Sequence, residues 1–220
     1  MGRAGLMAAF TARLGRSVGN RFIMSAMNAD KHPDFKEVHR PEPGPGRQAG
    51  QTKAVNDRLF LALWPPDETR TGLVAASSDW FWPHGSALVS PERLHVTVHF
   101  IGSVPTQAVP CITKRLAVPI EPFCIELCEA QLWPGGVAVM VPRTVPAALL
   151  ELHAELGAAL RRLSLPLELR PFRPHVTLAR RAAGAVMPVA PKAVNWTVNH
   201  YLLVHSLPGR AGYEVIREYH

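Results

Sequence analysis

Arg93-Leu-His-Val-Thr-Val98 and Arg173-Pro-His-Val-Thr-Leu178 are the two stretches that decide how this chain of 220 residues is read. Each places an Arg two before a His and a Thr two after it, inside an apolar, β-branched run. Strand side chains alternate with period two, so His95 and Thr97 share one face, and His175 and Thr177 share another. An apolar strand disfavours polar residues at inward positions, because each buried polar group needs a partner. The same departure from the apolar pattern occurs twice, 80 residues apart, which points these groups into a wet cleft.

The surrounding sequence supplies the frame. Residues 58–64 read as a first strand, and Pro65-Pro-Asp-Glu68 opens a helix expected to run to about Trp80. The first motif strand spans 93–101 and closes at Gly102; a short helix follows around 106–117, weakened by Pro110. Residues 123–128 alternate as a strand, and 137–141 form another after Gly135-Gly136. Residues 146–163 are the clearest helix, with Leu149, Leu152, Leu156, Leu160 and Leu163 at spacings of three and four. The second motif strand covers 172–179, and two late strands are expected near 196–206 and 213–218. This order predicts an α+β fold of two similar lobes facing across a cleft. The glycine pattern of a dinucleotide site and the Gly-rich phosphate loop are both absent from the sequence.

Residues 1–55 read as a disordered or weakly ordered extension, and 56–220 as the folded domain, because 28–57 are polar and Pro/Gly-bearing. Arg3, Arg13, Arg16 and Arg21 precede any acid, which resembles a transit peptide, but the apolar stretch 5–12 is short and lacks a convincing cleavage site. No run approaches a membrane span, so no membrane partner is expected. The net charge of +7 divides as +4 over residues 1–57 and +3 over 58–220 without concentrating in one patch, so it suits an anionic partner without marking a nucleic-acid footprint. The three cysteines lack zinc-knuckle spacing. Cys124 and Cys128 would stand roughly 13 Å apart on one strand, too far for a disulfide. All three are expected to be reduced, structural and cytoplasmic.

Two histidines can divide acid and base work near neutrality, and two threonines can hydrogen-bond non-bridging phosphate oxygens. This pairing suits metal-free transfer at a 2′,3′-cyclic phosphate, with no cofactor. The motifs resemble those of the 2H phosphoesterases, and within them the RNA 2′,3′-cyclic phosphodiesterases, historically called 2′-5′ RNA ligases. The signature is carried by His95-Val-Thr-Val98 and His175-Val-Thr-Leu178. The opening strand 58–65, the first motif through Gly102, the stretch 171–180 and the closing strands from Tyr201 through Tyr213 extend the resemblance over about residues 58–219.

The resemblance implies a bilobal fold with pseudo-two-fold symmetry, antiparallel sheets flanked by helices, and both histidines in a central cleft. It implies hydrolysis of RNA 2′,3′-cyclic phosphate ends, or of small 2′,3′-cyclic nucleotides, to 2′-phosphomonoesters by a monomer. His95 is then the general acid protonating the leaving O3′, His175 the base activating water, and Thr97 and Thr177 the phosphate contacts. Phe100 matches an aromatic that lies against the nucleobase; ideal alternation puts it opposite His95, so a bulge is needed. Arg170 is in reach of phosphate or base, with Arg173 and Arg180 as rivals. His99 shares His95's face on ideal alternation, yet at ~13 Å along a strand the two cannot share a zinc ion. His84, His153, His200 and His205 carry no usable pattern. Two alternatives stay open: the reverse 2′-5′ ligation, which the same acid–base pair serves, and a non-catalytic RNA-end-binding module.

Overall fold

Alternation of Leu59, Leu61 and Leu63 with Phe60 and Ala62 makes β1 (Asn56–Leu63) apolar on both faces, which is the pattern of an interior strand. In the computed structural model, which describes residues 55–168, 170–207 and 212–220, β1 does lie inside a sheet, between two antiparallel neighbours. Nearly all of the expected N-terminal extension lies outside the described residues. The chain continues through α1 (Asp67–Ser78), β2 (Ala87–Leu88), β3 (Val96–Pro105), α2 (Val109–Arg115), β4 (Phe123–Trp133), β5 (Val137–Pro142), α3 (Ala147–Arg162), β6 (Val176–Arg180), β7 (Val194–Val198), β8 (Tyr201–Ser206) and β9 (Tyr213–Tyr219). No helix among the described residues is long and apolar enough to cross a membrane.

All pairings are antiparallel, and the strands form one nine-stranded sheet in the order β7-β4-β5-β6-β3-β1-β8-β9, with β2 beside β6. The two expected lobes are therefore halves of one sheet, joined where Val96 pairs with Val176. The halves correspond by connectivity: β1-α1-β3 in one repeats as β5-α3-β6 in the other. α1 starts with Asp67 and Glu68 in its first turn, where they favour the helix dipole, and buries Thr69, Leu73 and Ala76. It packs against β7, where Gly72 lies so near that an added Cβ would stand 3.3 Å from Val194. α3 buries Leu149, Leu152, Leu156 and Leu160, as its leucine spacing predicts, and packs against β3.

Three expectations change. The strand expected near 196–206 is broken at Asn199-His200, and its two pieces go to opposite ends of the sheet: β7 pairs with β4, and β8 with β1 and β9. The reason is visible in burial. Val194, Trp196 and Val198 alternate on one covered face, whereas Tyr201 through Val204 are buried on both. The motif strands begin at Val96 and Val176 rather than at 93 and 172; before the first, Pro91–Arg93 form a single 3₁₀ turn. The cysteines are free, but Cys111 and Cys124 are exposed and do not belong to the core.

Candidate active site

The site begins at the seam between the halves. Val96 opposite Val176 fixes the antiparallel register. Continued by one residue each way, that register puts His95 opposite Thr177 and Thr97 opposite His175. Pairing between β3 and β6 is confined to this one position, and β2 takes over the far edge of β6 at Leu88 and Ala87. The strands thus part beyond the valines and leave a pocket of about 360 Å³ lined by His95, Thr97, His175 and Thr177. Arg58, Phe60, Arg93, Phe100, Arg180, Ser206 and Tyr213 also line it.

Each imidazole is tied down in the same way. His95 Nδ1 donates to the Arg93 carbonyl at 2.7 Å, and His175 Nδ1 donates to the Arg173 carbonyl at 2.7 Å. A carbonyl oxygen only accepts, so the hydrogen of the neutral ring sits on Nδ1 and Nε2 is left for chemistry. The Arg side chains reach elsewhere. The Arg93 guanidinium carbon lies 4.9 Å from the centre of the Tyr213 ring, and that of Arg173 lies 4.4 Å from the Trp133 ring. Those two rings in turn contact the histidines, Tyr213 at 5.4 Å from His95 and Trp133 at 4.4 Å from His175.

The surroundings of the two rings differ. His95 is stacked within 5° of parallel on Trp64 at 5.2 Å, and Phe60 stands 5.3 Å away. Burial, helped by the charges of His175, Arg93 and Arg180 and opposed by the Arg93 carbonyl, brings His95 down from 6.5 to about 4. Burial also lowers His175, aided by Arg180 and Arg173 and opposed by its backbone hydrogen bond. Both imidazoles are therefore neutral at neutral pH in the ligand-free cleft. An entering phosphate anion reverses that preference, because a nearby negative charge favours the imidazolium.

Phe100 reaches the pocket because β3 is bulged. Leu61 pairs with His99 and Ala62 with Thr97, so Val98 is an extra residue on β3. The bulge exchanges the faces beyond it. Phe100 joins Thr97 on the cleft side and is 52% exposed. His99 turns away from His95 and is buried; its Nε2 donates to the His153 carbonyl at 2.8 Å, and the two rings stack at 4.1 Å. The expected shared face of His95 and His99 is thus corrected. Arg170 is corrected too: it lies outside the pocket, exposed and ion-paired with Glu168. Of its rivals Arg180 lines the pocket, while Arg173 holds Trp133 and Gln131. Trp64, Trp133 and Tyr213 had no distinguishing signal, since an aromatic in an apolar strand reads as core.

The comparisons agree with this geometry. A profile of the 2′-5′ RNA ligase superfamily matches residues 74–209. The chain is 32% identical over 161 residues to the RNA 2′,3′-cyclic phosphodiesterase of Thermus thermophilus, covering 68% of this chain and 81% of that protein. It is 31% identical over 144 residues to the Escherichia coli protein of the same name, covering 64% and 80%. The crystal structure of Escherichia coli LigT complexed with 3′-AMP superposes with a TM-score of 0.68 at 26% identity, covering 75% of this chain and 98% of that one. With two facing His-x-Thr strands, this sheet and these matches, the chain belongs to the 2′-5′ RNA ligase superfamily of 2H phosphoesterases.

Proposed function

We propose that this protein hydrolyses RNA 2′,3′-cyclic phosphate ends to 2′-phosphomonoesters, with His95 and His175 as its acid–base pair. The observation that carries the mechanism is that His95, Thr97, His175 and Thr177 line one pocket at the seam, each imidazole held through Nδ1 by a backbone carbonyl so that Nε2 is left for chemistry. The relatives named RNA 2′,3′-cyclic phosphodiesterase support the reaction.

The reacting phosphate sits between the two imidazoles, and Thr97 and Thr177 donate hydrogen bonds to its non-bridging oxygens. Its negative charge draws a proton onto His95 as it binds. His175 Nε2 removes a proton from water, and the water oxygen bonds to phosphorus. The P–O3′ bond breaks, and His95 Nε2–H protonates O3′. One proton is taken and one given, so turnover leaves each histidine in the other's starting state, and exchange with solvent resets the pair. Phe100 offers an exposed ring for the base beside the cleft.

The test is product analysis on a cyclic-phosphate-ended oligonucleotide with wild type, His95→Ala and His175→Ala, with EDTA present throughout. Wild type forms the 2′-phosphate, and each variant loses turnover by at least about a hundredfold. Binding without turnover by the wild type would overturn the hydrolase reading in favour of an RNA-end-binding module. Activity that vanishes in EDTA and returns with added metal would overturn the metal-free mechanism.

A further inference from the structure

The cleft holds more positive charge than one phosphate uses. The reacting phosphate lies between the histidines, and the charge of Arg180 acts on both of them. Arg93 acts on His95 as well. Arg58 and Arg93 line the same pocket, and no carboxylate among the described residues lines it. Neither forms an ion pair among the described residues. The Arg93 Nε is buried and has no hydrogen-bond partner among them either. A buried donor without an acceptor is costly, so Arg93 is not satisfied by the protein around it.

Pairing geometry joins the two arginines on one wall. Arg93 lies over the Tyr213 ring, and Tyr213 pairs with Ser206 across β9 and β8. The β1–β8 register, Leu59 with His205 and Phe60 with Val204, continues to put Arg58 opposite Ser206. Along β1, Arg58 is two residues from Phe60 on the cleft face, about 7 Å further along. His95 lies at the other side of Phe60, toward Trp64. Phe60 thus lies between His95 and Arg58 on this face, with Tyr213 and Arg93 bridging the two.

We propose that Arg58, Arg93, Ser206 and Tyr213 form a second anion subsite, which holds a phosphate on O5′ of the nucleotide whose 2′,3′-cyclic phosphate reacts. The proposal rests on the hydrolase reading above and adds its substrate class: a nucleotide with phosphate at both ends. That second phosphate is either a terminal 5′-monoester or the diester to the preceding nucleotide of an RNA.

The experiment compares kcat/KM for three substrates: adenosine 2′,3′-cyclic phosphate, the same compound with a 5′-phosphate, and a dinucleotide ending in the cyclic phosphate. Wild type prefers at least one 5′-phosphate-bearing substrate by about tenfold or more, and added salt erodes the preference. Whichever ranks first identifies the source of the phosphate. Arg58→Gln and Arg93→Gln each reduce the preference to under about threefold, and Arg58→Lys retains most of it, since one charge remains. Equal kcat/KM of wild type on all three overturns the subsite. So does an Arg58→Gln variant that slows all three by one common factor. No turnover of any substrate by the wild type overturns the hydrolase reading, and the subsite with it.

Discussion

Removing the indole of Trp64 tests whether the walls of the cleft set the proton affinity of His95. Three rings surround this imidazole: Trp64 at 5.2 Å, Phe60 at 5.3 Å and Tyr213 at 5.4 Å. Trp64 alone lies parallel to it, within 5°, and so stacks, offset, against one face. Lowering His95 from 6.5 to about 4 corresponds to about 3 kcal/mol against the charged ring. If the covered face accounts for a third of that, Trp64→Ala returns about 1 kcal/mol, and the His95 pKa rises by roughly 0.7. The assay is an imidazole titration by NMR, on wild type, Trp64→Ala and Trp64→Phe. Trp64→Phe keeps a flat apolar cover and should hold His95 nearer its wild-type value. The acid limb of the kcat/KM profile should move with the titration, which a general loss of stability would not cause. A His95 pKa that stays put, or falls, in Trp64→Ala would refute the reasoning.

Acid stability follows from the same burial. The unfolded His95 takes up a proton below about 6.5 and the folded one only near 4, so stability is complete above that window and is lost as pH falls through it. From pH 7 to about 4.5 this one group costs about 2.5 kcal/mol, measurable as a falling urea midpoint that His95→Gln flattens; a midpoint independent of pH would contradict it. Gly136 has φ +70°, and a Cβ there would stand 2.6 Å from the Ala183 nitrogen. Gly136→Ala should therefore cost at least about 2 kcal/mol in thermal or urea unfolding, and a neutral result would mean that the turn after Trp133 relaxes freely.

The histidines and threonines were legible in the sequence because each breaks an apolar run that has no structural need for a polar group. The fold class followed from the spacing of the strands and from the leucines of α3. Phe100 and His99 were harder for one reason. A bulge at Val98 exchanges two faces, and a bulge depends on how β1 sits against β3, which strand periodicity does not express. The break at Asn199-His200 was hidden similarly, since residues on both sides have strand-like patterns and only their partners differ. Arg93 and Arg173 stand in the sequence as the residues two before each histidine. Their contact with the histidines is through the backbone carbonyl, which any residue supplies, so the identity of the residue could not report it.

The paired motifs leave a problem that their surroundings resolve. Two histidines related by a pseudo-two-fold, each held by the same carbonyl hydrogen bond, are chemically equivalent, yet the proposed reaction needs one charged and one neutral. Repetition of the motif cannot create that difference; the walls can. His95 is enclosed by Phe60, Trp64 and Tyr213, while His175 has Trp133 as its aromatic neighbour, with Arg173 and Gln131 beyond it. A dry imidazole holds a proton poorly until an anion arrives to favour the imidazolium, and in the proposed reaction His95 then gives that proton to O3′. A histidine with fewer apolar neighbours can keep water within reach, which a base that activates water requires. Unequal enclosure is thus what makes the imidazoles of two equal motifs inequivalent. Exchanging the enclosures, by opening Trp64 and covering Gln131 with an apolar side chain, should weaken the division of labour while leaving both motifs intact.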